Sequence, residues 1–318
     1  MQKPVIALAM GDPAGISPEL TAKVLALEEV RAAARIVAIG DRRVFDEGVR
    51  IAGVKIADLE FQDLKLPDLS KIQRSTASKE GGQSALANYR QALRMVADGK
   101  AQAVCFTPFN KQAMKLADPS YDDEIRFTAG VLGFKGTATE FNVLEKLWNA
   151  RVTSHIPLSA VAAALSVDGI VEALQLTSDA LKAAGFNPPR IGVAALNPHA
   201  GDGGNFGREE IDIIEPAVKK ARAKGLPVEG PFPADTVFVR AKGGQFDAVL
   251  TMFHDQGQIA MKLMGFDRGV TVLGGFPFPI CTPAHGTAYD IAGKGIANIG
   301  ATRAALLLAA EMVCRRAA

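Results

Sequence analysis

The sequence predicts an α/β protein with mostly parallel sheets and flanking helices. Short β-branched or apolar runs alternate with Ala/Leu-rich segments whose apolar residues recur at helical spacing. The predicted strands are Val5–Met10, Ile36–Ile39, Ala103–Thr107, Ile191–Ala195, Ala248–Met252 and Val270–Leu273. The predicted helices are Pro18–Ala26, Gly82–Asp98, Leu158–Ala164, Asp168–Ala184, Arg208–Ala223 and Ala301–Arg315. Alternation of this kind favours a mostly parallel sheet with helices on both faces.

Composition and charge are those of an ordinary globular protein. The 318 residues, enough for one large domain or two lobes, are 48% hydrophobic and 22% charged, with a net charge of +2. No basic run suggests a nucleic-acid partner, and no apolar run approaches the roughly 20 residues of a membrane span. The apolar stretch Val5–Met10 is too short for a secretory signal. Three widely spaced cysteines suggest a reducing compartment, so we expect a cytoplasmic protein.

The four histidines are the strongest chemical signal in the sequence. They are His155, His199, His254 and His285, and each lies in a polar, proline-marked or glycine-marked segment. His199 and His254 follow predicted strands, and His155 follows a weaker apolar run. Because the ends of parallel strands collect at one edge of a sheet, these three can meet there. Three imidazoles bind a divalent transition metal and leave positions open for substrate, whereas the alternative is a hydrogen-bonded structural role for each.

Three further polar residues are candidates for proton transfer. Asp255 follows His254, and it either orients that histidine or carries a proton, or else it is a turn residue. Asp235 lies in a loop stiffened by prolines, and the alternative to a catalytic role is the N-cap of a short helix from Thr236. Lys111 follows a strand end, where it acts as a base near a metal or is a solvated surface lysine.

The loop 11–19 after the first predicted strand contains two glycines and two prolines. Ser17 can cap a helix whose first position is Pro18, and the start of that helix either faces an anionic ligand or belongs to a plain βα turn. The chain has no Walker A loop, and no GxGxxG fingerprint follows the first strand.

Five motifs in order along the chain resemble a known family. They are Gly11-Asp12-Pro13-Ala14-Gly15-Ile16, Asn197-Pro198-His199-Ala200-Gly201, Pro233-Ala234-Asp235-Thr236, His254-Asp255-Gln256-Gly257 and His285-Gly286-Thr287-Ala288. Together they resemble the 4-hydroxythreonine-4-phosphate dehydrogenase (PdxA) family and its catabolic relatives over nearly the whole chain. The tail from His285 to Asn298 also resembles the adenosine-binding loop of isopropylmalate and isocitrate dehydrogenases.

The resemblance implies a two-lobed subunit with an isocitrate/isopropylmalate dehydrogenase-like fold. Residues 1–110 and 270–318 would form a nucleotide-binding lobe, and residues 111–269 a metal-binding and dimerisation lobe. The implied assembly is a homodimer whose active site is shared between subunits. The implied cofactor is NAD, with NADP as the alternative, held by the tail residues His285, Ala288, Asp290 and Asn298.

The resemblance also implies a reaction. NAD-dependent oxidation of a secondary alcohol β to a carboxylate is followed by decarboxylation of the 3-oxo acid. A divalent metal shared between subunits is held by His155, His199 and His254, and zinc, magnesium, cobalt, nickel and manganese all remain candidates. The catalytic candidates are Asp235, Asp255 and Lys111.

The substrate pocket departs from the family pattern. The His-Thr pair that contacts substrate in the pyridoxine enzymes corresponds here to Ala138 and Thr139. Of the three phosphate-binding positions, Lys262 matches, but the asparagine is Thr271 and the arginine is Ile280. Isoleucine cannot replace the guanidinium fork that holds a phosphate. We therefore expect an unphosphorylated hydroxy acid, such as a cis-dihydrodiol carboxylate of aromatic-acid catabolism.

Other functions remain open at the level of sequence. One is a phosphorylated substrate, 4-phosphohydroxythreonine or a phosphothreonate-like or phosphoerythronate-like acid, held in another way. From a different class, a metal-dependent hydrolase or lyase would use the histidines without a nucleotide, although the adenosine-loop resemblance argues against it. A non-catalytic binding protein is disfavoured by the intact histidines, Asp235 and Asp255.

Overall fold

The computed structural model describes residues 3–65 and 68–316 and divides into two compact units. The first, which we call the discontinuous unit, comprises Met1–Gly136 and Asp267–Ala318. The second, the inserted unit, is Thr137–Phe266. Residues 111–136 belong to the discontinuous unit, in contrast to the boundary near residue 110 expected from the resemblance.

Helices and strands alternate along most of the described chain. Its strands are β1 (Val5–Ala9), β2 (Arg35–Gly40), β3 (Glu60–Asp63), β4 (Ala103–Phe106), β5 (Thr139–Leu144), β6 (Leu147–Arg151), β7 (Ile191–Ala194), β8 (Val228–Phe232), β9 (Ala248–Thr251), β10 (Val270–Gly274) and β11 (Ile280–Pro283). Its α-helices are α1 (Ser17–Ala26), α2 (Glu28–Ala33), α3 (Arg42–Ala52), α4 (Lys79–Ala97), α5 (Lys111–Ala117), α6 (Glu124–Leu132), α7 (Val161–Ala164), α8 (Val167–Ala183), α9 (Glu215–Ala223), α10 (Ala234–Lys242), α11 (His254–Gly265) and α12 (Gly300–Arg316). The predicted fold class, α/β with mostly parallel strands and flanking helices, is confirmed.

The discontinuous unit is built on strands in the order β3-β2-β1-β4-β11-β10. β1 pairs in parallel with β2 and β4, β4 pairs in parallel with β11, and only β10 runs antiparallel to its partner β11. Every residue of β4 is buried, because α4 and α12 both pack on this strand. α5 and α6 pack against α4, which explains why residues 111–136 join this unit.

The inserted unit has the strand order β5-β6-β9-β7-β8. β6, β9, β7 and β8 are parallel, and β5 runs antiparallel to β6. The carboxyl ends of the four parallel strands therefore lie along one side of this sheet. We call the segments that follow these four ends the carboxyl edge of the inserted unit.

Most predicted elements are present, with some changes of type. All six predicted strands occur. β6 was indicated only as the weaker apolar run before His155, and β3, β5, β8 and β11 were not predicted. The predicted helix Arg208–Ala223 starts as the π-helical segment Glu210–Ile214 before it becomes α9. The predicted helix Leu158–Ala164 is a 3-10 turn, Leu158–Ala160, followed by α7.

Two further sequence expectations concern membranes and thiols. Within residues 3–65 and 68–316 no single helix is long and apolar enough to cross a membrane, and one pair bent by 96°, Leu158–Ala164 with Val167–Ala183, meets the length and composition criteria only jointly. All three cysteines are free thiols. Cys105 and Cys281 are buried, whereas Cys314 is exposed.

Candidate active site

The three candidate metal ligands follow three neighbouring strand ends of the carboxyl edge. His155 lies four residues beyond the end of β6 at Arg151, and His254 lies three residues beyond the end of β9. His199 lies in the segment Pro198–Gly204 that follows β7. The predicted placement of these histidines after strand ends is therefore confirmed, including the weaker prediction for His155.

Two of these histidines are close neighbours. The ring centroids of His155 and His254 are 5.8 Å apart, with the planes tilted by 43°. The Nδ1 atom of His254 lies 2.6 Å from Oδ1 of Asp255, so the second ring nitrogen, Nε2, stays available to a ligand. Since a metal–imidazole bond is about 2.0–2.1 Å long, this separation suits two imidazoles on one divalent ion.

The described residues of a single chain do not complete the triad. Among them, no group of three histidine, cysteine, aspartate or glutamate side chains is placed to hold a metal ion. His199 is exposed, and its nearest aromatic neighbour is the exposed ring of Phe206, with centroids 6.1 Å apart. One chain therefore offers the pair His155–His254 and a separate, solvent-facing His199.

The loop that carries His199 has an unusual backbone. Five consecutive residues, from His199 to Gly203, have positive φ angles between 45° and 79°. Left-handed geometry costs an L-residue with a side chain roughly 1–2 kcal/mol. A conformation of this kind persists only where its surroundings hold it, and it is concentrated at functional sites.

A buried carboxylate holds the base of this loop. Oε1 of Glu210 accepts hydrogen bonds from the backbone amides of Leu196 and Asn197, both at 2.8 Å. Oε2 accepts from Nδ2 of Asn197 at 2.9 Å. Glu210 is 1% exposed, and a Cβ added at Gly201 would lie 2.7 Å from its Oε2. Glycine at 201 therefore allows the loop to close over the carboxylate.

The start of α11 is tied to two strand ends. Gln256 accepts from the amide of Met252 at 2.8 Å and donates to the carbonyl of Ala195 at 2.8 Å, which links the ends of β9 and β7. A Cβ added at Gly257 would lie 2.0 Å from Oδ1 of Asn149. Glycine at 257 therefore lets the first turn of α11 lie directly on β6, and this contact sets the position of His254.

The three proton-transfer candidates occupy different settings. Asp255 is exposed in the first turn of α11 and contacts His254. Asp235 follows β8, so it too lies on the carboxyl edge. The alternative N-cap role for Asp235 is wrong, because α10 begins at Ala234 with Pro233 as its N-cap, and Asp235 is an exposed residue of the first turn. Lys111 begins α5 in the discontinuous unit and pairs with Glu124 at 3.6 Å.

The candidate substrate residues are not equally accessible. Thr139 opens β5 and is half-buried, and Lys262 is exposed on α11, with its Nζ 5.9 Å from the centroid of the Phe266 ring. Thr271 is half-buried on β10. Ile280 has no exposed surface, because it lies inside the sheet on β11 beside Val104. The interpretation of Ile280 as a substrate contact is not supported by this burial.

The tail 285–298 forms a loop anchored to the glycine-rich turn after β1. The backbone amide of Ile16 donates to the carbonyl of Thr287 at 3.0 Å, and a Cβ added at Gly15 would lie 2.7 Å from the same carbonyl oxygen. Lys23 donates to the carbonyls of Gly295 and Ala297, at 2.9 and 3.0 Å. Of the two interpretations of the turn, the structure therefore favours a packing role, because the amide of Ile16 already has a protein acceptor.

The expected cap of α1 is not formed. The helix begins at Ser17 itself, with Ile16 as its N-cap and no side-chain cap. The hydroxyl of Ser17 instead donates to the carbonyl of Pro108 at 2.8 Å, and the amide of Asp12 donates to the same carbonyl at 3.0 Å. The segments after β1 and β4 are thereby held together.

A second anchor of the tail is the carboxylate of Asp12. It accepts a hydrogen bond from the hydroxyl of Tyr289 at 2.5 Å and another from the amide of Ala14 at 2.9 Å. Burial raises the pKa of Asp12 above its ordinary value, and the two hydrogen bonds oppose that rise. Burial also raises the pKa of the Tyr289 phenol. This pair connects two motifs that are far apart in sequence.

The four cofactor candidates lie on this anchored loop. Asp290 and Asn298 are exposed, and His285 and Ala288 are half-buried. Oδ1 of Asn298 accepts from the amide of Gly300, and the exposed side chain also carries the Nδ2 donor. Among the described residues outside the immediate chain neighbours, no heavy atom lies within 4 Å of a Cβ added at Gly286. The loop therefore offers donors, a carboxylate and open space, which suits the adenosine part of a dinucleotide.

Several residues of the site were not found from the sequence. Glu210, Gln256 and Tyr289 make the contacts that fix His199, His254 and the tail. A signal for Glu210 existed in the acidic pair Glu209-Glu210 after a glycine-rich loop, but spacing alone does not show that one of the two is buried. For Tyr289 no local pattern indicates its partner, which lies 277 residues away.

Sequence comparison gives an extended match to one protein family. The family described as pyridoxal phosphate biosynthetic protein PdxA matches residues 32–309. A Rhizobium meliloti (strain 1021) protein named "Putative 4-hydroxythreonine-4-phosphate dehydrogenase 2" is 63% identical, over 100% of this chain and 95% of that protein. A Bradyrhizobium diazoefficiens protein named "Putative D-threonate 4-phosphate dehydrogenase" is 36% identical over 92% of each.

Solved structures give the same result. A crystal structure of 4-hydroxythreonine-4-phosphate dehydrogenase from Klebsiella pneumoniae is similar with a TM-score of 0.85 and 32% identity, covering 98% of this chain and 100% of that one. A terephthalate 1,2-cis-dihydrodiol dehydrogenase from Burkholderia xenovorans LB400 is similar with a TM-score of 0.65 and 27% identity, covering 95% and 96%.

Proposed function

The chain belongs to the PdxA family and is an oxidoreductase that acts on a CH–OH group, and from this premise we propose that it oxidises a 3-hydroxy acid with NAD and releases carbon dioxide. The observation that carries the proposal is the pair His155–His254, 5.8 Å apart, with Asp255 on Nδ1 of His254. The alternatives of a metal-dependent hydrolase or lyase and of a binding protein are set aside, since the relatives are named dehydrogenases.

The histidines and carboxylates have separate tasks in this proposal. His155, His199 and His254 would hold a divalent ion, which would supply Lewis-acid chemistry at the substrate oxygen during oxidation and decarboxylation, and bound NAD would supply the hydride acceptor. Asp255 holds the imidazole of His254 with Nε2 directed away from the carboxylate. Asp235 and Lys111 are the groups that accept the hydroxyl proton and return a proton to the enolate left by decarboxylation.

The tail 285–298 binds the adenosine part of the nucleotide. His285, Ala288 and Asn298 line the loop, and the exposed carboxylate of Asp290 suits the ribose hydroxyls of NAD. A carboxylate beside the 2′ position repels the phosphate of NADP, so we propose NAD as the preferred cofactor. Asp290→Asn should lower the ratio of kcat/KM with NAD to kcat/KM with NADP. An unchanged ratio would show that Asp290 does not select the cofactor.

A second copy of this chain completes the site. The inserted unit exposes Ile259, Leu263 and Phe266 at intervals of four and three residues from α11 onward, with exposed fractions of 59%, 84% and 52%. This spacing gives one apolar stripe, and it lies on the helix that begins with His254. We propose that the stripe packs against a second subunit and that the metal ligands come from both. Leu263→Asp should yield monomers by analytical ultracentrifugation, whereas Leu116→Asp, on the discontinuous unit, should leave dimers.

The favoured substrate is unphosphorylated. Ile280 is buried and offers no donor to a phosphate, which leaves Lys262 as the one cation among the four substrate positions. A cis-dihydrodiol carboxylate meets the requirement for a hydroxyl β to a carboxylate, and a structural relative is named as a dehydrogenase of such a diol. Free thiols at all three cysteines agree with the proposed cytoplasmic location.

The second candidate is a phosphorylated acid. The names of the relatives at 63% and 36% identity specify 4-hydroxythreonine 4-phosphate and D-threonate 4-phosphate. For such substrates Lys262 would supply the positive charge, and Thr139 and Thr271 would supply hydroxyl donors. This candidate retains the same oxidation and decarboxylation.

A substrate panel tests the proposal. Purified protein with Mn²⁺ or Zn²⁺ and NAD is mixed with phosphorylated and unphosphorylated 3-hydroxy acids, and NADH absorbance and carbon dioxide are recorded. We expect both products in equal amounts with at least one acid, and more rapidly with the unphosphorylated class. NADH formation with phosphorylated acids alone would select the second candidate, and no NADH with any acid despite bound metal would sink the proposed reaction.

Alanine substitutions distinguish the histidines proposed to bind metal from the one proposed to bind NAD. His155→Ala, His199→Ala and His254→Ala should each lose stoichiometric metal, while His285→Ala should keep metal and bind NAD more weakly. If the site is shared, a mixed dimer can contain one intact site although each of its subunits carries an inactivating substitution. A co-purified dimer of one His155→Ala subunit and one His199→Ala subunit should therefore regain part of the activity. Complete inactivity of every mixed pair would contradict sharing.

A further inference from the structure

A buried arginine joins the strand that begins with Thr139 to the segment that carries His155. Arg151 is the last residue of β6, and its side chain is 4% exposed. Its Nη2 donates to Oε2 of Glu140 at 2.6 Å, and its Nε donates to Oγ of Ser154 at 2.9 Å. Glu140 directly follows Thr139, and Ser154 directly precedes His155. The two contacts therefore reach the immediate neighbours of two proposed site residues.

The register of the β5–β6 pair explains this geometry. Asn142 is opposite Asn149 in the antiparallel ladder, and continuing that register places Glu140 opposite Arg151. Cross-strand partners point to the same face of a sheet, so the guanidinium reaches Glu140 and Asn142 from one side. Nη1 of Arg151 donates to Oδ1 of Asn142 at 2.8 Å. One fork thus spans three acceptors on two segments.

The same cluster includes α11. Gln258, one turn beyond His254, donates through Nε2 to Oδ1 of Asn142 at 2.6 Å. This helix also carries Lys262. Arg151 is therefore connected to three elements of the inserted unit that hold proposed metal or substrate residues: β5, the segment after β6, and α11. The segment after β7, which carries His199, is not among them.

The Arg151–Glu140 ion pair is a costly way to stabilise the fold alone. A buried ion pair is often neutral or unfavourable compared with apolar residues of similar size, because both charges lose their hydration. Arg151 and Glu140, at 4% and 22% side-chain exposure, bear that desolvation in a strand where apolar residues would serve the core. The planar guanidinium instead gives fixed directions, which a flexible ammonium does not.

We propose that Arg151 is a positioning residue of this active site. It sets the spacing between the start of β5 at Thr139 and the histidine segment at His155, and through Asn142 it holds α11 in register with both. It acts through Glu140, Asn142 and Ser154. The roles of Thr139 and His155 rest on the proposed function.

Arg151→Lys is the test, with Arg190→Lys as its matched control. Lysine keeps the charge but cannot span three acceptors. Arg190 lies in the same unit before β7, where it donates to Asp247 and to the carbonyl of Gly244, away from the carboxyl edge. We expect Arg151→Lys to weaken Co²⁺ binding, measured by absorption without substrate or NAD, by about tenfold. Its kcat/KM should fall at least as much, and Arg190→Lys should match wild type in both.

A second variant guards against a folding defect. Arg151→Met combined with Glu140→Gln removes both charges, so no buried charge remains unpaired. We expect this protein to melt within a few degrees of Arg190→Lys, to bind NAD with unchanged affinity, and to bind Co²⁺ at least tenfold more weakly than wild type.

The outcomes separate this inference from the proposed function. If wild type binds Co²⁺ and forms NADH, but Arg151→Lys and the double variant match Arg190→Lys in Co²⁺ affinity and kcat/KM, the positioning role is overturned and the proposed function stands. A wild-type protein that binds no Co²⁺ and oxidises no hydroxy acid overturns the proposed function, and the positioning role fails with it.

Discussion

The hydroxyl of Tyr289 donates a 2.5 Å hydrogen bond to the carboxylate of Asp12, a residue 277 positions earlier in the chain. Asp12 belongs to the turn after β1, and Tyr289 belongs to the tail proposed to bind adenosine. The bond therefore holds the tail in the shape that a nucleotide would meet. The hydroxyl of Ser75 donates a second hydrogen bond, 2.5 Å long, to the backbone carbonyl oxygen of Tyr289.

Loss of the Tyr289 hydroxyl should weaken NAD binding. Tyr289→Phe keeps the ring but removes a hydrogen bond to a charged group, which is worth about 1.5–3 kcal/mol. We expect the dissociation constant for NAD, measured by calorimetry, to rise about tenfold. Tyr89→Phe is the control, since that buried hydroxyl bonds to Thr128 and not to the tail. Equal NAD affinities in the two variants would contradict an anchoring role for Tyr289.

The buried carboxylate of Asp12 should give stability a defined pH dependence. Folding raises the pKa of Asp12 above its ordinary 3.8, so the folded state favours the protonated form. The associated stability is complete below pH 3.8 and is lost as the pH rises through the raised pKa. Asp12→Asn cannot ionise, so its free energy of unfolding relative to wild type should increase across this window and then level off.

Urea unfolding over a pH series measures that difference. Asp98→Asn, which removes an exposed carboxylate in the same unit, is the control. In Tyr289→Phe the window should extend to higher pH, because the Tyr289 hydrogen bond lowers the pKa of Asp12. Parallel curves for Asp12→Asn and wild type would show that the carboxyl does not titrate in this way.

Asp255→Ala should reduce metal affinity without unfolding the protein. The carboxylate lies 2.6 Å from Nδ1 of His254 and is exposed, so its removal leaves no buried group unpaired. Partners that orient a metal-binding histidine are typically worth about 10–100-fold in affinity. Titration with Zn²⁺ in competition with a chromophoric chelator measures the change. Asp212→Ala, at an exposed carboxylate paired with Arg208, should keep wild-type affinity; a twofold effect or less in Asp255→Ala would argue against the orienting role.

Glu210→Gln should destabilise the loop that carries His199. The amide oxygen of glutamine can replace Oε1, but its Nε2 would face Nδ2 of Asn197, donor against donor. We expect a loss of about 1–3 kcal/mol in the free energy of unfolding, measured with guanidinium. Glu209→Gln, at a half-buried site where the carboxylate accepts from Nδ2 of Asn197 at 2.7 Å, should lose less. The idea fails if the two variants are equally stable.

The sequence shows the fold most clearly where both faces of a strand are covered. β1, β4, β7 and β9 are short and apolar, and they stand out as strands without further information. β5 and β6 do not, because Glu140, Asn142, Asn149 and Arg151 interrupt their apolar pattern. Those polar residues contact one another and α11. The two strands that the apolar pattern does not reveal are therefore the strands proposed to support the site.

The candidate site was predictable in kind and less so in geometry. Histidines after strand ends could be recognised, since topology gathers such ends at one edge. That His254 begins a helix, and that Ile280 is buried, could not be recognised, because both depend on packing between segments distant in sequence. The anchoring of the tail by Asp12 has the same origin.

The backbone between His199 and Gly203 has a stereochemical consequence. Positive φ is the preferred region of a D-amino acid, as negative φ is for its mirror image. Ala200 and Asp202, with φ angles of 54° and 45°, are L-residues in the backbone region that D-residues prefer. A chain assembled by chemical ligation with D-alanine in place of Ala200 should therefore fold with the same loop backbone, and the backbone strain of L-alanine at this position should be relieved.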